Sequence, residues 1–232
     1  MPTINSFIRF LHVSPNTTNV DIYCDEEILA KDLAYNKISD YTPTGPEDKR
    51  IQIFATSESE QLLLDTTVSV LPSEKITYAI IGTLPEISLL PIFLKVEPIE
   101  NPEVLVRFAN LSSNVPNLDV VFLENESFFT NVGYSEVTNY ETILPDTYYV
   151  KLKPTDAKEI IFTSEAIELE SGYAYTIYTL GLLGDTPALD VDYYYDQIPL
   201  LKAETSNNET WKTEKVISPS SNTSPKIIFT YY

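Results

Sequence analysis

The sequence has little of the chemistry on which most enzymes depend. Its 232 residues include one cysteine, one histidine and six glycines. One cysteine excludes an internal disulfide, and so few Cys and His side chains exclude a metal site built from them. There is no Gly-rich phosphate loop, no serine nucleophile motif, and no apolar stretch near the roughly 20 residues of a membrane span. We therefore predict no catalytic residues, no metal and no cofactor.

Basic residues are also scarce. The chain has 15 Lys and Arg against 34 Asp and Glu, which gives a formal net charge of -19. Such a charge repels phosphate backbones and anionic lipid, so we expect neither nucleic acid nor membrane insertion. It also favours a monomer, unless a specific contact or bound cations offset the repulsion.

What the sequence does contain is an internal repeat. The matching segments are Ile8-Arg9-Phe10 with Val106-Arg107-Phe108, Asn19-Val20-Asp21 with Asn117-Leu118-Asp119, and Thr77 and Gly82 with Thr176 and Gly181. The shift is 98 positions at first and 99 farther along the chain. A register kept over most of a hundred residues is typical of a duplicated domain. We predict domains at residues 1–98 and 99–200, followed by a polar extension at 201–232.

The hydrophobic pattern predicts β-strands in both halves. Turn signals recur about every 8 to 12 residues, as in a sandwich or small barrel, and no helical period is sustained. Residues 62–68 have helical propensity, but their repeat contains Ile160-Ile161-Phe162-Thr163, so a strand is predicted. The predicted strands are 7–13, 20–24, 28–33, 38–41, 50–55, 61–70, 75–82, 89–96, 104–110, 119–123, 148–153, 160–169, 173–180 and 188–195.

The repeated residues form a wider pattern. They are Arg9, His12, Ser14, Pro15, Val20, Asp21, Tyr23, Tyr41, Thr77 and Gly82 in the first copy, and Arg107, Ser112, Asp119, Tyr140, Thr176 and Gly181 in the second. This pattern resembles the bacterial domain of unknown function 4397 (DUF4397), over roughly residues 7–96 and 105–195. The resemblance implies two tandem β-sandwiches of the immunoglobulin-like or transthyretin-like type at a bacterial cell surface. It implies no reaction, and no signal peptide is visible at the N-terminus. A spore envelope is the variant that we infer from surface-type domains without a visible secretion signal.

The single cysteine and the single histidine are both predicted to be structural. Cys24 shares a strand face with Val20 and Ile22, which favours a buried thiol over a nucleophile or an intermolecular bridge. His12 becomes Asn110 in the second copy. An amide can replace an imidazole as a hydrogen-bonding group but not as an acid or base, so His12 is predicted to anchor a turn.

Two charged pairs recur at the same separation. Arg9 precedes Asp21 by 12 positions, and Arg107 precedes Asp119 by 12 positions. We predict that each pair forms a structural ion pair between consecutive strands, because a charge pair is lost as a unit. The alternative is that the arginines recognise a ligand.

Two further clusters have structural and functional alternatives. The carboxylates Asp185, Asp190, Asp192 and Asp196 could bind calcium, but they lack the dense loop of a known site, and a solvated strand face is favoured. The tyrosines of 148–149 and 193–195 could stack on sugars, and packing is favoured for them.

The C-terminal heptad suggests the function that we predict. Its residues are Lys226, Ile227, Ile228, Phe229, Thr230, Tyr231 and Tyr232. Large side chains on both faces predict a strand that pairs with a sheet edge of its own chain or of a neighbour. We predict a non-enzymatic, self-associating subunit, a homo-oligomer or homopolymer, of a bacterial surface or spore-envelope layer or filament. The alternative is an adhesin or carbohydrate-binding module with glycan partners, and a hydrolase comes third.

Overall fold

The computed structural model describes residues 5–56, 61–123 and 126–201, apart from the side chains of Leu123 and Glu126. Every element of regular secondary structure within these ranges is a β-strand, which confirms the predicted all-β fold. No helix in the described part of the chain is long and apolar enough to cross a membrane. The predicted assembly strand at 226–232 lies outside the described residues.

The first half of the chain forms two sheets. Its strands are β1 (Ser6–His12), β2 (Val20–Cys24), β3 (Glu27–Leu33), β4 (Lys37–Ile38), β5 (Thr42–Thr44), β6 (Asp48–Ala55), β7 (Leu62–Ser69), β8 (Lys75–Thr83) and β9 (Glu86–Phe93). Inner sheet 1 has the order β4-β1-β8-β9, with β5 also paired to β1, and outer sheet 1 has the order β3-β2-β6-β7. Strands β1 and β8 run parallel.

The second half repeats this arrangement. Its strands are β10 (Val104–Asn110), β11 (Leu118–Leu123), β12 (Glu126–Val132), β13 (Glu141–Ile143), β14 (Asp146–Pro154), β15 (Phe162–Leu169), β16 (Tyr173–Leu180) and β17 (Asp190–Gln197). Inner sheet 2 has the order β13-β10-β16-β17, and outer sheet 2 has the order β12-β11-β14-β15. The parallel pair β10 and β16 corresponds to β1 and β8.

Each inner sheet packs on its outer sheet around a separate apolar core. In the first half this core includes Phe10, Ile22 and Ile53, and in the second it includes Phe108 and Leu152. The two-residue alternation of a strand places Val20, Ile22 and Cys24 together on the core face of β2. Cys24 is accordingly buried.

The two inner sheets also pack against each other. Leu11 and Ile81 of the first half form an apolar cluster with Leu111 and Leu180 of the second half. The central strands β1, β8, β10 and β16 are therefore covered on both faces, which explains their nearly continuous apolar sequences. The described residues up to Leu201 form one compact unit.

Most predicted strands are present, and the differences lie in short or polar segments. The segment 62–68 is a strand, as predicted, and not a helix. Strands β5, β12 and β13 were not predicted from the pattern, and of the predicted strand 38–41 only Ile38 lies in a strand. β12 contains Asn131 with a φ of 57° beside register shifts, and β13 has only three residues, so neither shows a clear two-residue period.

Candidate functional site

The predicted ion pairs Arg9–Asp21 and Arg107–Asp119 do not form, and this prediction was wrong. In each half the arginine lies on the inner sheet and the aspartate on the outer sheet. Ile8 beside Arg9 faces the core between the sheets, as does Val20 beside Asp21. Alternation therefore directs the two charged side chains away from the core on opposite sides of the sandwich.

The aspartates recur because each supports an unusual backbone position in the neighbouring strand. Asp21 Oδ1 accepts a hydrogen bond from the backbone N–H of Asp32 at 2.7 Å, and Asp119 Oδ1 accepts one from the backbone N–H of Asn131 at 3.0 Å. Asp32 and Asn131 have positive φ angles of 54° and 57°. Both lie where the strand register shifts, so the repeated aspartate stabilises the same bulge in each half.

Arg9 lies at the interface between the two inner sheets. Its Nε donates to Thr77 Oγ1 at 2.9 Å, and its Nη2 donates to Asp196 Oδ2 at 2.8 Å. The guanidinium carbon lies 4.1 Å from the ring centroid of Tyr41. Lys75 Nζ approaches the other oxygen of Asp196 at 3.3 Å. Asp196 is 5% exposed, so the interpretation of its acidic stretch as a solvated face is wrong at this residue.

Arg107 makes the equivalent contacts with one difference. Its Nε donates to Thr176 Oγ1 at 2.9 Å, and its guanidinium carbon lies 4.3 Å from the ring centroid of Tyr140. Its Nη1 donates to the backbone oxygen of Phe93 at 2.8 Å, not to a carboxylate. The Arg–Thr–Tyr arrangement is thus the contact that the repeat preserves. All three residues recur within the repeat, Arg at a shift of 98 and Thr and Tyr at a shift of 99, and this signal was available in the sequence.

His12 and Cys24 are arranged as structural groups. His12 is fully buried, and its Nε2 lies 3.2 Å from the backbone oxygen of Thr18, while its Nδ1 has no partner among the described residues. Burial lowers the pKa of His12 and raises the pKa of the Cys24 thiol, so both groups favour their neutral forms. Within the described ranges, no group of three or more His, Cys, Asp and Glu residues could hold a metal ion.

Outer sheet 1 carries two neighbouring aromatic side chains on the face away from the core. The rings of Tyr23 and Phe54 meet edge to face, with centroids 5.5 Å apart. They line a depression of about 250 Å³ together with Asp21, Glu26 and Gln52. In the strand register Tyr23 lies opposite Gln52, and Asp21 lies opposite Phe54. We call these five residues the aromatic patch.

The turn beside the aromatic patch is strained. Residues Asp25 and Glu26 join β2 to β3 with φ angles of 49° and 73°. Two-residue hairpin turns of this type favour Asn and Gly, because positive φ is costly for most side chains. Non-glycine residues held in such conformations cluster at functional sites. The positive φ of Glu26 therefore favours a functional role for the depression that its side chain lines.

The described positions of the second half that correspond to the aromatic patch carry no aromatic ring. These positions are Asp119, Val121, Lys151 and Lys153. Lys153 replaces Phe54, and its Nζ lies 3.2 Å from Asp119 Oδ2. The two halves share a fold but differ in the chemistry of this surface, which the repeat alone did not reveal.

The tyrosine runs divide between packing and exposure. Tyr148 and Tyr194 are each 7% exposed, in agreement with the favoured packing role. Tyr149 and Tyr195 are 52% and 53% exposed, and the ring of Tyr195 has those of Tyr173 and Tyr175 beside it, with centroids 5.2 Å and 5.4 Å away. Tyr149 has no aromatic neighbour among the described residues, so it does not form a patch comparable with that of Tyr23 and Phe54.

The fold and the repeated Arg–Thr–Tyr arrangement define a double β-sandwich protein. Residues 6–121 match the family described as "Domain of unknown function (DUF4397)". This match spans half of the 232 residues, so the chain belongs to the DUF4397 family. No curated protein matches the sequence.

Several solved structures show weak likeness to the chain. One is a carbohydrate-binding module of family CBM26 from Eubacterium rectale in complex with maltoheptaose. It is 9% identical in sequence, the match covers 83% of this chain and 96% of that chain, and the TM-score is 0.26. Another, titled "Alpha-glucan binding by a streptococcal virulence factor", has 12% identity, 80% and 96% coverage and a TM-score of 0.26. A putative cell adhesion protein from Parabacteroides distasonis has 10% identity, 87% and 99% coverage and a TM-score of 0.22. TM-scores below 0.5 do not establish a shared fold.

Proposed function

We propose that this chain is a non-enzymatic glycan-binding protein of a bacterial surface or spore envelope. The observation that carries the proposal is the aromatic patch, where Tyr23 and Phe54 lie together in a depression with polar groups around it. Binding sites combine apolar and aromatic surface with a few polar groups that fix orientation. The patch has this composition, and the equivalent surface of the second half does not.

The chemistry of the patch suits an uncharged sugar. The C–H face of a pyranose ring can pack on an aromatic face, and Tyr and Phe supply large contact areas for this purpose. The carboxylates of Asp21 and Glu26 accept hydrogen bonds from sugar hydroxyls, and the amide of Gln52 can donate or accept one. The same carboxylates and the net charge of -19 disfavour acidic glycans at this patch.

The test compares variants on an array of uncharged glycans, followed by calorimetry with the best ligand. Tyr23→Ala removes one ring, and Phe54→Lys installs the residue found at the equivalent position of the second half. Each should weaken binding about tenfold or more, equivalent to about 1.4 kcal/mol. Tyr149→Ala is the control, since it removes an exposed ring from outer sheet 2 and should leave the affinity unchanged. Equal affinities for all four proteins, or no bound glycan, would reject the proposal.

A second proposal is that the chain is a self-associating structural subunit. The observation that favours it is the heptad 226–232, whose alternating large side chains would gain from cover on both faces. Pairing with a neighbouring chain would extend head to tail into a filament.

Deletion of residues 226–232 tests the self-association proposal. Electron microscopy should show polymers of the full chain and none of the shortened one, while circular dichroism should report an unchanged β-signal. The proposal fails if the shortened chain polymerises like the full one, or if the full chain stays monomeric at high concentration and in divalent salt.

A further inference from the structure

The two halves bring corresponding arginines to the interface between the inner sheets, but only one of them meets a carboxylate. Arg9 Nη2 donates to Asp196 Oδ2 at 2.8 Å, and Lys75 Nζ lies 3.3 Å from Asp196 Oδ1. Tyr41 donates its hydroxyl proton toward Asp196 Oδ2 at 3.4 Å. One carboxylate thus satisfies a guanidinium, an ammonium and a phenol.

Arg107 is equally buried but has no such partner. It is 6% exposed and donates to two neutral oxygens, those of Thr176 and Phe93. Among the described residues, no carboxylate lies within 4.0 Å of Arg107. A charge buried without an opposite charge is costly, because the protein interior solvates it poorly.

Comparison of the edge strands explains the missing carboxylate. Asp196 of β17 lies opposite Ala174, and Ala174 corresponds to Lys75 at the shift of 99. The backbone N–H of Leu94 donates to Lys75 O at 2.8 Å, which places Leu94 at the position equivalent to Asp196. Where the second half presents the carboxylate of Asp196 to Arg9, the first half has the apolar side chain of Leu94 at the equivalent position, which packs against the cluster of Leu105 and Ala174.

The hydroxyl of Tyr140 is also left without a partner. Tyr140 corresponds to Tyr41. Its buried hydroxyl lies near that of Thr176 but makes no hydrogen bond of standard geometry within the described residues. Burial raises the pKa of Tyr140 to about 12, so the group keeps its proton at neutral pH and remains a donor. A buried polar group without a partner costs about 1 to 3 kcal/mol, which a suitable acceptor would recover.

Arg107 and Tyr140 line a groove of about 430 Å³ between the two halves. Lys95 and Asn139 also line this groove, and Lys95 Nζ lies 4.8 Å from the ring centroid of Phe93. The groove thus combines a guanidinium, an ammonium and a phenol, the same three donor types that surround Asp196. We propose that this groove binds the carboxylate of an exogenous acidic sugar, with Arg107 as the principal contact.

The proposed site differs from the aromatic patch in charge and in position. The patch lies on outer sheet 1 and carries two carboxylates, whereas the groove lies beside the inner sheets and carries two cations. The repulsion of an anion by the net charge of -19 is screened beyond about 8 Å at physiological ionic strength. At contact distance the local guanidinium dominates, and its planar fork matches a carboxylate.

Calorimetry of the full chain with glucuronate and glucose tests the assignment, because these probes differ in the carboxylate. Glucuronate should bind at least tenfold more tightly than glucose. Arg107→Gln should weaken glucuronate binding at least tenfold. Since Arg107 also supports the interface, Leu94→Asp provides a second variant. It introduces a carboxylate at the position equivalent to Asp196 and should weaken glucuronate binding to a similar extent.

Matched controls separate this site from the aromatic patch. Phe54→Lys should retain the full glucuronate affinity even where it abolishes binding of an uncharged glycan. The assignment is overturned if Leu94→Asp binds glucuronate as tightly as the unchanged chain, if glucose binds equally well, or if inorganic phosphate binds more tightly than glucuronate.

Discussion

At the scale of single residues, recurrence identified important positions but not their partners. Arg9 and Asp21 both recur, and their constant spacing suggested that they touch each other. Arg9 recurs for its contacts with Thr77 and Tyr41, and Asp21 recurs for its hydrogen bond to the bulge at Asp32. A duplication copies every side chain of the domain together, so joint recurrence carries no information about which of them are in contact.

His12 should make the stability of the protein sensitive to acid. Burial lowers its pKa in the folded state, so the unfolded chain takes up a proton near its ordinary pKa of about 6.5 and the folded chain does not. The contribution of neutral His12 is therefore fully present above about pH 6.5 and declines as the pH falls through that value toward the folded pKa.

Urea unfolding at about pH 7.5 and pH 5.5 measures this contribution. His12→Asn installs the residue of the second half and should cost about 1 to 2 kcal/mol at the higher pH, from lost packing and an altered hydrogen bond. Between the two pH values the unchanged chain should lose more stability than the variant, because only the unchanged chain has a buried imidazole whose pKa is lowered by folding. Carboxylates titrate in both proteins and cancel. A difference between the proteins that stays constant with pH would contradict the prediction.

At the scale of elements, the pattern predicted what alternation and turn chemistry determine locally. It predicted the strands β2, β10 and β16 with the bounds that the structure shows, and it favoured a strand over a helix for 62–68. It missed β5, β12 and β13, which depend on pairing with β1, β11 and β10 more than on their own sequence.

The candidate sites could be predicted only in part, because they depend on which strands become neighbours. Tyr23 and Phe54 are 31 positions apart, and only the antiparallel pairing of β2 with β6 brings their rings together. Arg9 and Asp196 come from opposite ends of the described chain and meet through the packing of one inner sheet on the other. The sequence marked Arg9 and Arg107 as positions of interest, but the different surroundings of the two arginines arise from tertiary structure.

At the scale of the whole molecule, the interface between the inner sheets determines how the two halves behave together. We propose that residues 1–98 and 99–200 are two folding units, coupled by the apolar cluster around Leu11 and Leu180 and by the ion pair of Arg9 with Asp196. Coupling through a shared interface makes the two units unfold in one transition, and a weaker interface lets them unfold separately.

The buried ion pair gives this coupling a direct test. Asp196→Asn keeps the shape of the side chain but leaves Arg9, which is 8% exposed, without its opposite charge. Removal of one member of a buried pair costs about 3 to 5 kcal/mol, so urea unfolding should show a loss of this size. Calorimetry should show the single transition of the unchanged chain separating into two. Asp190→Asn makes the same change of charge at an exposed position of the same strand and should alter the stability by no more than about 0.5 kcal/mol. If the two variants are equally stable, the ion pair does not couple the halves, and the apolar cluster alone holds them together.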